Sequence, residues 1–195
     1  MRALALLVVA ACTPDIAPGS YLCGPEASCP PDQACSGSDN HCVLAGLETP
    51  FECTADADFE PDNSAVQAHA LPTFNCVSAP FANNSCMPVG DAGDWMSFVA
   101  PNNCAGAVQV QVRLGFPIAF EELGIELWDL DRNMKLASEA PCTSGAELSV
   151  ERRCLDFTLM PSTTYGIAVL PTGMGTCGGN CAYNRYTLSI QLGTP

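Results

Sequence analysis

The sequence predicts an all-β protein, an antiparallel β-sandwich preceded by a small disulfide-rich module. Three observations lead there. Apolar and polar residues alternate with period two along several short stretches, as in strands with one buried face. Turn residues punctuate these stretches, and helical periodicity is nearly absent. The thirteen cysteines among 195 residues include an early group set in Pro, Gly, Ser, Asp and Asn, with almost no large apolar side chains between them. Such a group has crosslinks for stability in place of a core.

Taken in order, Met1-Arg2 opens the chain with one positive charge, and residues 3–11 are apolar and small. Val9-Ala10-Ala11-Cys12 follows. A charged start, a short apolar run and a small-residue cleavage site read as an export signal, and the run is far shorter than the roughly 20 residues of a membrane span. It is short even for a signal, which points to a true start upstream of Met1. The run into Cys12 resembles a bacterial lipoprotein signal. That resemblance implies cleavage after residue 11, diacylglycerol and a further acyl chain (palmitate) on Cys12, and an outer-membrane destination, because Thr13 is not the aspartate of inner-membrane retention. More than one acyl chain anchors stably. Twelve cysteines then remain, an even number suited to pairing in an oxidising compartment.

Residues 12–22 read as a lipidated tether containing Pro14, Pro18 and Gly19. Residues 23–42 carry the Cys23-x5-Cys29-x5-Cys35-x6-Cys42 module. It resembles the small four-cysteine, knottin-like modules near the N-terminus of some bacterial surface lipoproteins. Four cysteines allow three connectivities; Cys23–Cys35 with Cys29–Cys42 is favoured. Zinc is the alternative, but there is no C-x2-C pair. His41 sits in a polar turn and reads as exposed.

Residues 43–55 are a connector, and residues 56–193 the sandwich. A first strand is expected at 66–71, then a Pro- and Asn-rich loop closed by Cys76 and Cys86. The stretch 94–100 is a strand. Val108, Val110, Val112 and Leu114 alternate with Gln109, Gln111 and Arg113 as a half-buried strand. A hairpin joins 125–130 to 134–137 across Asp131-Arg132-Asn133. Strands follow at 148–159, 165–170 and 186–192. A helical turn is the reading for 119–123.

Five motifs in order then resemble the bacterial pre-peptidase C-terminal domain, a jelly-roll-like β-sandwich related to collagenase collagen-binding domains. They are Glu60-Pro61-Asp62-Asn63-Ser64-Ala65; Gly90-Asp91-Ala92-Gly93-Asp94-Trp95-Met96-Ser97-Phe98; the run from Leu123 through Trp128-Asp129 to Leu136; Pro161 through Tyr165 to Val169; and Tyr186-Thr187-Leu188-Ser189-Ile190. Ser162-Thr163-Thr164 departs from the family's glycine, and the loops carry additional cysteines. The resemblance implies a calcium site in which the upstream acidic stretch meets the D-x-x-D turn. Its matching positions here are Asp58, Glu60, Asp62, Asn63, Asp91 and Asp94. The donor chemistry agrees, since calcium takes six to eight oxygen ligands, and like carboxylates crowded without a cation repel. The alternative is two separate solvated turns.

Formal net charge is −14, and between Cys12 and Val112 there are twelve acidic residues and no lysine or arginine. Such a chain has no basic patch for nucleic acid or anionic head groups. Two histidines, neither in a catalytic motif, give little support to catalysis. Asp91 and Asp94 as a glycosidase-like pair, in a small sandwich without a substrate-cleft motif, is the weaker enzyme reading. Cys177-Gly178-Gly179-Asn180-Cys181 lacks the C-x2-C redox spacing and reads as a structural loop closure. Cys142–Cys154 staples a hairpin, Cys76–Cys86 closes a loop, and Cys53–Cys104 is what remains. Trp95 and Trp128 read as buried sandwich aromatics, with a carbohydrate or peptide platform as the alternative. The expected function is a lipid-anchored envelope protein with a non-catalytic binding or accessory role toward extracellular protein or polysaccharide. A structural envelope component packed on other surface proteins is the second reading and a hydrolase the third.

Overall fold

A computed structural model describes residues 17–54, 59–142, 150–172 and 183–193. The module holds a 3-10 turn at Pro25–Ala27 and a two-stranded ribbon, β1 (Gln33–Cys35) with β2 (Cys42–Leu44). Among the described residues, ten strands form the sandwich: β3 (His69–Ala70), β4 (Phe81–Met87), β5 (Asp94–Val99), β6 (Val108–Pro117), β7 (Leu123–Asp129), β8 (Met134–Ser138), β9 (Ala140–Pro141), β10 (Val150–Leu159), β11 (Thr164–Pro171) and β12 (Asn184–Gly193). The first sheet runs β4-β12-β6-β10-β9 and the second β3-β5-β11-β7-β8. All sandwich pairs are antiparallel except β3 with β5.

Period-two alternation builds the core. Along β6, Val108, Val110, Val112, Leu114 and Phe116 point inward, and Leu188, Ile190 and Leu192 of β12 sit beside them. Met96, Phe98, Tyr165, Ile167, Val169, Ile125 and Leu127 face them from the second sheet. Each such large apolar side chain contributes about 1.5–3 kcal/mol on burial.

The module has no core of its own and borrows one. Cys23 and Cys42 are buried with Ala119 and Phe120 of the sandwich, and Cys29, Cys35 and Tyr183 pack around them. Phe51 stacks on Tyr183 with ring centroids 4.3 Å apart. The Ala27 N–H donates to Ala119 O at 2.9 Å, and the Arg185 guanidinium donates to Gly37 O and Ser38 O. Within the stretch read as a tether, the Gly19 N–H donates to Cys42 O at 2.7 Å.

Four expectations are corrected here. The strand placed at 66–71 shrinks to His69–Ala70, and Val66 is 96% exposed. The Asn-rich loop 76–86 contains the edge strand β4, whose outward positions tolerate polar residues. Residues 119–123 form a turn leading into β7 rather than a helical one; fully buried Asn184 ties it to β12 by donating to Pro117 O and Glu121 O. Two disulfides exchange partners: Cys53 joins Cys86 and Cys76 joins Cys104, not Cys53–Cys104 and Cys76–Cys86. The strand explains the exchange. At about 3.3 Å per residue, β4 carries Cys86 far from Cys76 and up to the connector. Elsewhere Cys23 pairs with Cys35, Cys29 with Cys42 and Cys142 with Cys154, the last joining the β9–β10 corner. Cys12, Cys177 and Cys181 lie outside the described residues.

Candidate metal centre and surface faces

The two acidic stretches meet at one end of the sandwich. The Trp95 N–H, at the start of β5, donates to Asp62 O at 2.9 Å. Asp62 and Asp94 are both buried, at 1% and 2% exposure. Asp94 shares its inward face with Met96, and its Oδ2 accepts the hydroxyl of Tyr186 on the opposite sheet. Burial, then the adjacent Asp94 carboxylate, then Asp62 push the Tyr186 phenol well above its usual range, against a lowering from its hydrogen bond with Ser85. Asp62, Asp94, Tyr186 and Ser85 therefore form one buried polar knot between the sheets.

Asp91 stands at its edge. Its Oδ1 accepts the Gly93 N–H at 3.0 Å, while its Oδ2 is buried and has no hydrogen bond. Gly93 has φ +132°, and a Cβ there would come within 2.7 Å of Val169 O, so the turn between Asp91 and Asp94 requires glycine. Glu60 Oε2 accepts the Asp62 N–H at 3.1 Å and Asn63 Nδ2 at 2.8 Å, which organises the upstream stretch locally. Asp58 lies outside the described residues.

The donor set suits a hard cation: carboxylate and amide oxygens, two carboxylates withdrawn from water, and a buried carboxylate oxygen lacking a hydrogen bond. Among the described residues, however, no three acidic ligand atoms converge within 4.8 Å; the sulfurs of Cys23, Cys29 and Cys42 do, but disulfides consume them. This removes the thiolates that zinc would require.

Neither histidine joins this end through a catalytic partner among the described residues. His41 Nδ1 lies 2.9 Å from Asp39 O at the surface, and His69 packs edge-on against Phe59 with centroids 4.6 Å apart.

The outer sheet faces carry different chemistry. On the first sheet, a groove of about 960 Å³ runs over Ala82, Gly115, Thr187 and Ser189. Arg113 flanks it, bound to Asp156 at 2.9 Å. On the second sheet, Trp95 and Trp128 face outward rather than into the core, with centroids 5.5 Å apart. Their parity was visible in the sequence: Trp95 shares its face with Ser97, and Trp128 with Glu126, whereas Met96, Phe98 and Leu127 occupy the other face.

No known family matches the chain, and no curated protein does. Among solved structures, it is similar to the pre-peptidase C-terminal domain of collagenase from Bacillus anthracis, at 14% identity over 63% of this chain and 93% of that one, with TM-score 0.43. It is also similar to PliG, a periplasmic inhibitor of g-type lysozyme. The Salmonella Typhimurium protein is 17% identical over 64% of this chain and 97% of its own, with TM-score 0.34. The Aeromonas hydrophila protein is 13% identical over 64% and 95%, with TM-score 0.33.

Proposed function

We propose that the protein is a lipid-anchored, non-catalytic binding component of the bacterial cell envelope, directed at extracellular protein or polysaccharide and pinned at one end by calcium. The observation that carries this reading is the direction in which the acidic knot is built. Asp94 is held inside the sandwich by Tyr186, so it fastens one sheet to the other instead of presenting a reactive carboxylate to solvent. Asp62, Asp91 and Asp94, with Glu60 and Asn63 beside them, would hold the ion, and Asp58 completes the expected set. The ion would supply positive charge between carboxylates that otherwise repel.

Five disulfides among the described residues support an oxidising compartment. None of the described helices is long and apolar enough to cross a membrane. Membrane attachment in this reading rests on acylated Cys12, in the outer membrane.

The test combines calorimetric titration and thermal unfolding of the chain from residue 13 with binding arrays of collagen, other matrix polymers and glycans. At a hundredfold excess over Kd, calcium is expected to raise Tm by about 5–10 °C. Asp94→Asn should lose most of that shift. No calcium effect at millimolar concentration overturns the metal assignment. Hydrolysis of an array ligand, lost in Asp91→Asn and Asp94→Asn, overturns the non-catalytic one.

A further inference from the structure

The two tryptophans of the chain form a single cluster on the outer face of the second sheet. Strand register places Trp95 beside Ala168 and Ala168 beside Glu126; in the next row Ser97, Gly166 and Trp128 are neighbours. The two indoles thus meet diagonally across a floor of Gly166 and Ala168, with their planes at 56°. Gly166 leaves room for the Leu130 side chain, which folds over it and would have to shift if a Cβ were added. Val99 extends the apolar surface at 57% exposure. Trp128 is fixed in orientation: its Nε1 donates to Glu126 Oε2 at 2.9 Å, and Lys135 Nζ donates to Glu126 Oε1 at 2.9 Å. Ser97, Ser138 and Lys135 add hydroxyl and amine groups around the rings.

We propose that this face binds a neutral polysaccharide, with Trp95 and Trp128 as the stacking platform and Glu126, Lys135, Ser97 and Ser138 as its polar rim. The inference rests on the binding role proposed above and assigns it a face and a ligand class. A pyranose ring has an apolar C–H face and an edge of hydroxyls. The cluster offers the complement: two half-buried, rigid indoles that bind at small entropic cost, bordered by hydrogen-bonding groups. Charge selects among polymers. A net charge of −14 repels polyanions. Beside the rings, Glu126 is paired with Lys135, and the neighbouring Glu139 and Asp131 carboxylates are each engaged by a backbone N–H, of Ile125 and Thr164. A partner without charge is the complement of this face.

Because the chain has two tryptophans and both are here, selectively excited tryptophan fluorescence, read at constant calcium because Trp95 adjoins Asp94 and Asp62, reports on this site. The experiment is affinity gel electrophoresis in dextran, hydroxyethylcellulose and galactomannan, paired with fluorescence titration by the same polymers. Retardation by at least one of them, with a matching fluorescence change, is expected. Trp95→Ala and Trp128→Ala should each weaken binding about tenfold, the scale of a lost aromatic contact. Trp128→Phe should retain part of it, which separates lost stacking from misfolding. Gln111→Ala, on the outer face of the first sheet, should bind as the parent does. Absence of retardation and of fluorescence change with all three polymers overturns the proposal. So does retardation that survives both alanine variants, or a fluorescence response seen only with rising protein concentration. In those cases binding on the arrays through another face would leave the broader reading standing.

Discussion

Tyr186 joins the two sheets through one bond to Asp94, and both groups are almost without solvent. The burial and the neighbouring carboxylates raise the phenol's pKa in the folded chain. In the unfolded chain it ionises near its ordinary value of about 10. Above that pH the unfolded state has lost a proton that the folded state keeps, so stability falls as pH rises from there toward the folded value. Denaturant unfolding followed from pH 8 to 11 should show this alkaline loss, reduced in Tyr186→Phe. The same variant should cost about 1–3 kcal/mol at pH 7, because a buried carboxylate oxygen loses its donor. The residue types of this knot were legible in the sequence as two acidic stretches and a late tyrosine. Their burial was not, because the Trp95-to-Asp62 bond and the contact across the sandwich join segments distant in sequence. The tryptophans show the converse. Their outward parity was present in the local pattern, and the general preference of sandwiches for buried aromatics hid it.

At the level of elements, strands with both strong alternation and a central place were the easiest to read. β6 and β12 each alternate over ten residues and lie side by side in the first sheet. β4 was missed because it is an edge strand: Asn83, Asn84 and Ser85 depress its strand signal, and pairing on one side alone sustains it. The missed strand also carried the mistaken pairing of Cys76 and Cys86, since a loop would have let them meet. Cys53–Cys86 now ties the connector to this edge across 33 residues of sequence. Replacing both cysteines by serine should lower stability by about 2–4 kcal/mol in urea unfolding. It should also raise hydrogen exchange of the β4 amides more than those of β6, as the strand bonded on one side loses its clamp.

Across the whole molecule, composition suggested a module, a connector and a sandwich, and it gave no sign of the contacts between the cysteine-rich segment and the strands. The segment that joins them, residues 117–121 with Tyr183 and Arg185, gives little sign in the sequence of facing anything. In the structure it supplies the apolar floor that the cysteine module lacks, with Phe120 8% exposed beneath the paired disulfides. Phe120→Ala should therefore cost about 3 kcal/mol, and the loss should fall unevenly. Limited proteolysis is expected to cut between residues 20 and 50 first while the sandwich persists; simultaneous loss of both parts would show that the sandwich depends on the module as well.

In the acylated protein proposed above, the hydrogen bond from Gly19 to Cys42 would set the length of a leash. Seven residue-to-residue steps separate Gly19 from Cys12. Fully extended, they reach at most about 25 Å. A chain anchored at Cys12 would begin its folded body within that radius of the lipid surface. It would have little volume to search, so its effective concentration at the bilayer would be high and its encounter with distant polymers low. The proposed Trp95–Trp128 face would then act as a fixed landing point, and the partner, not the protein, would have to cover the distance.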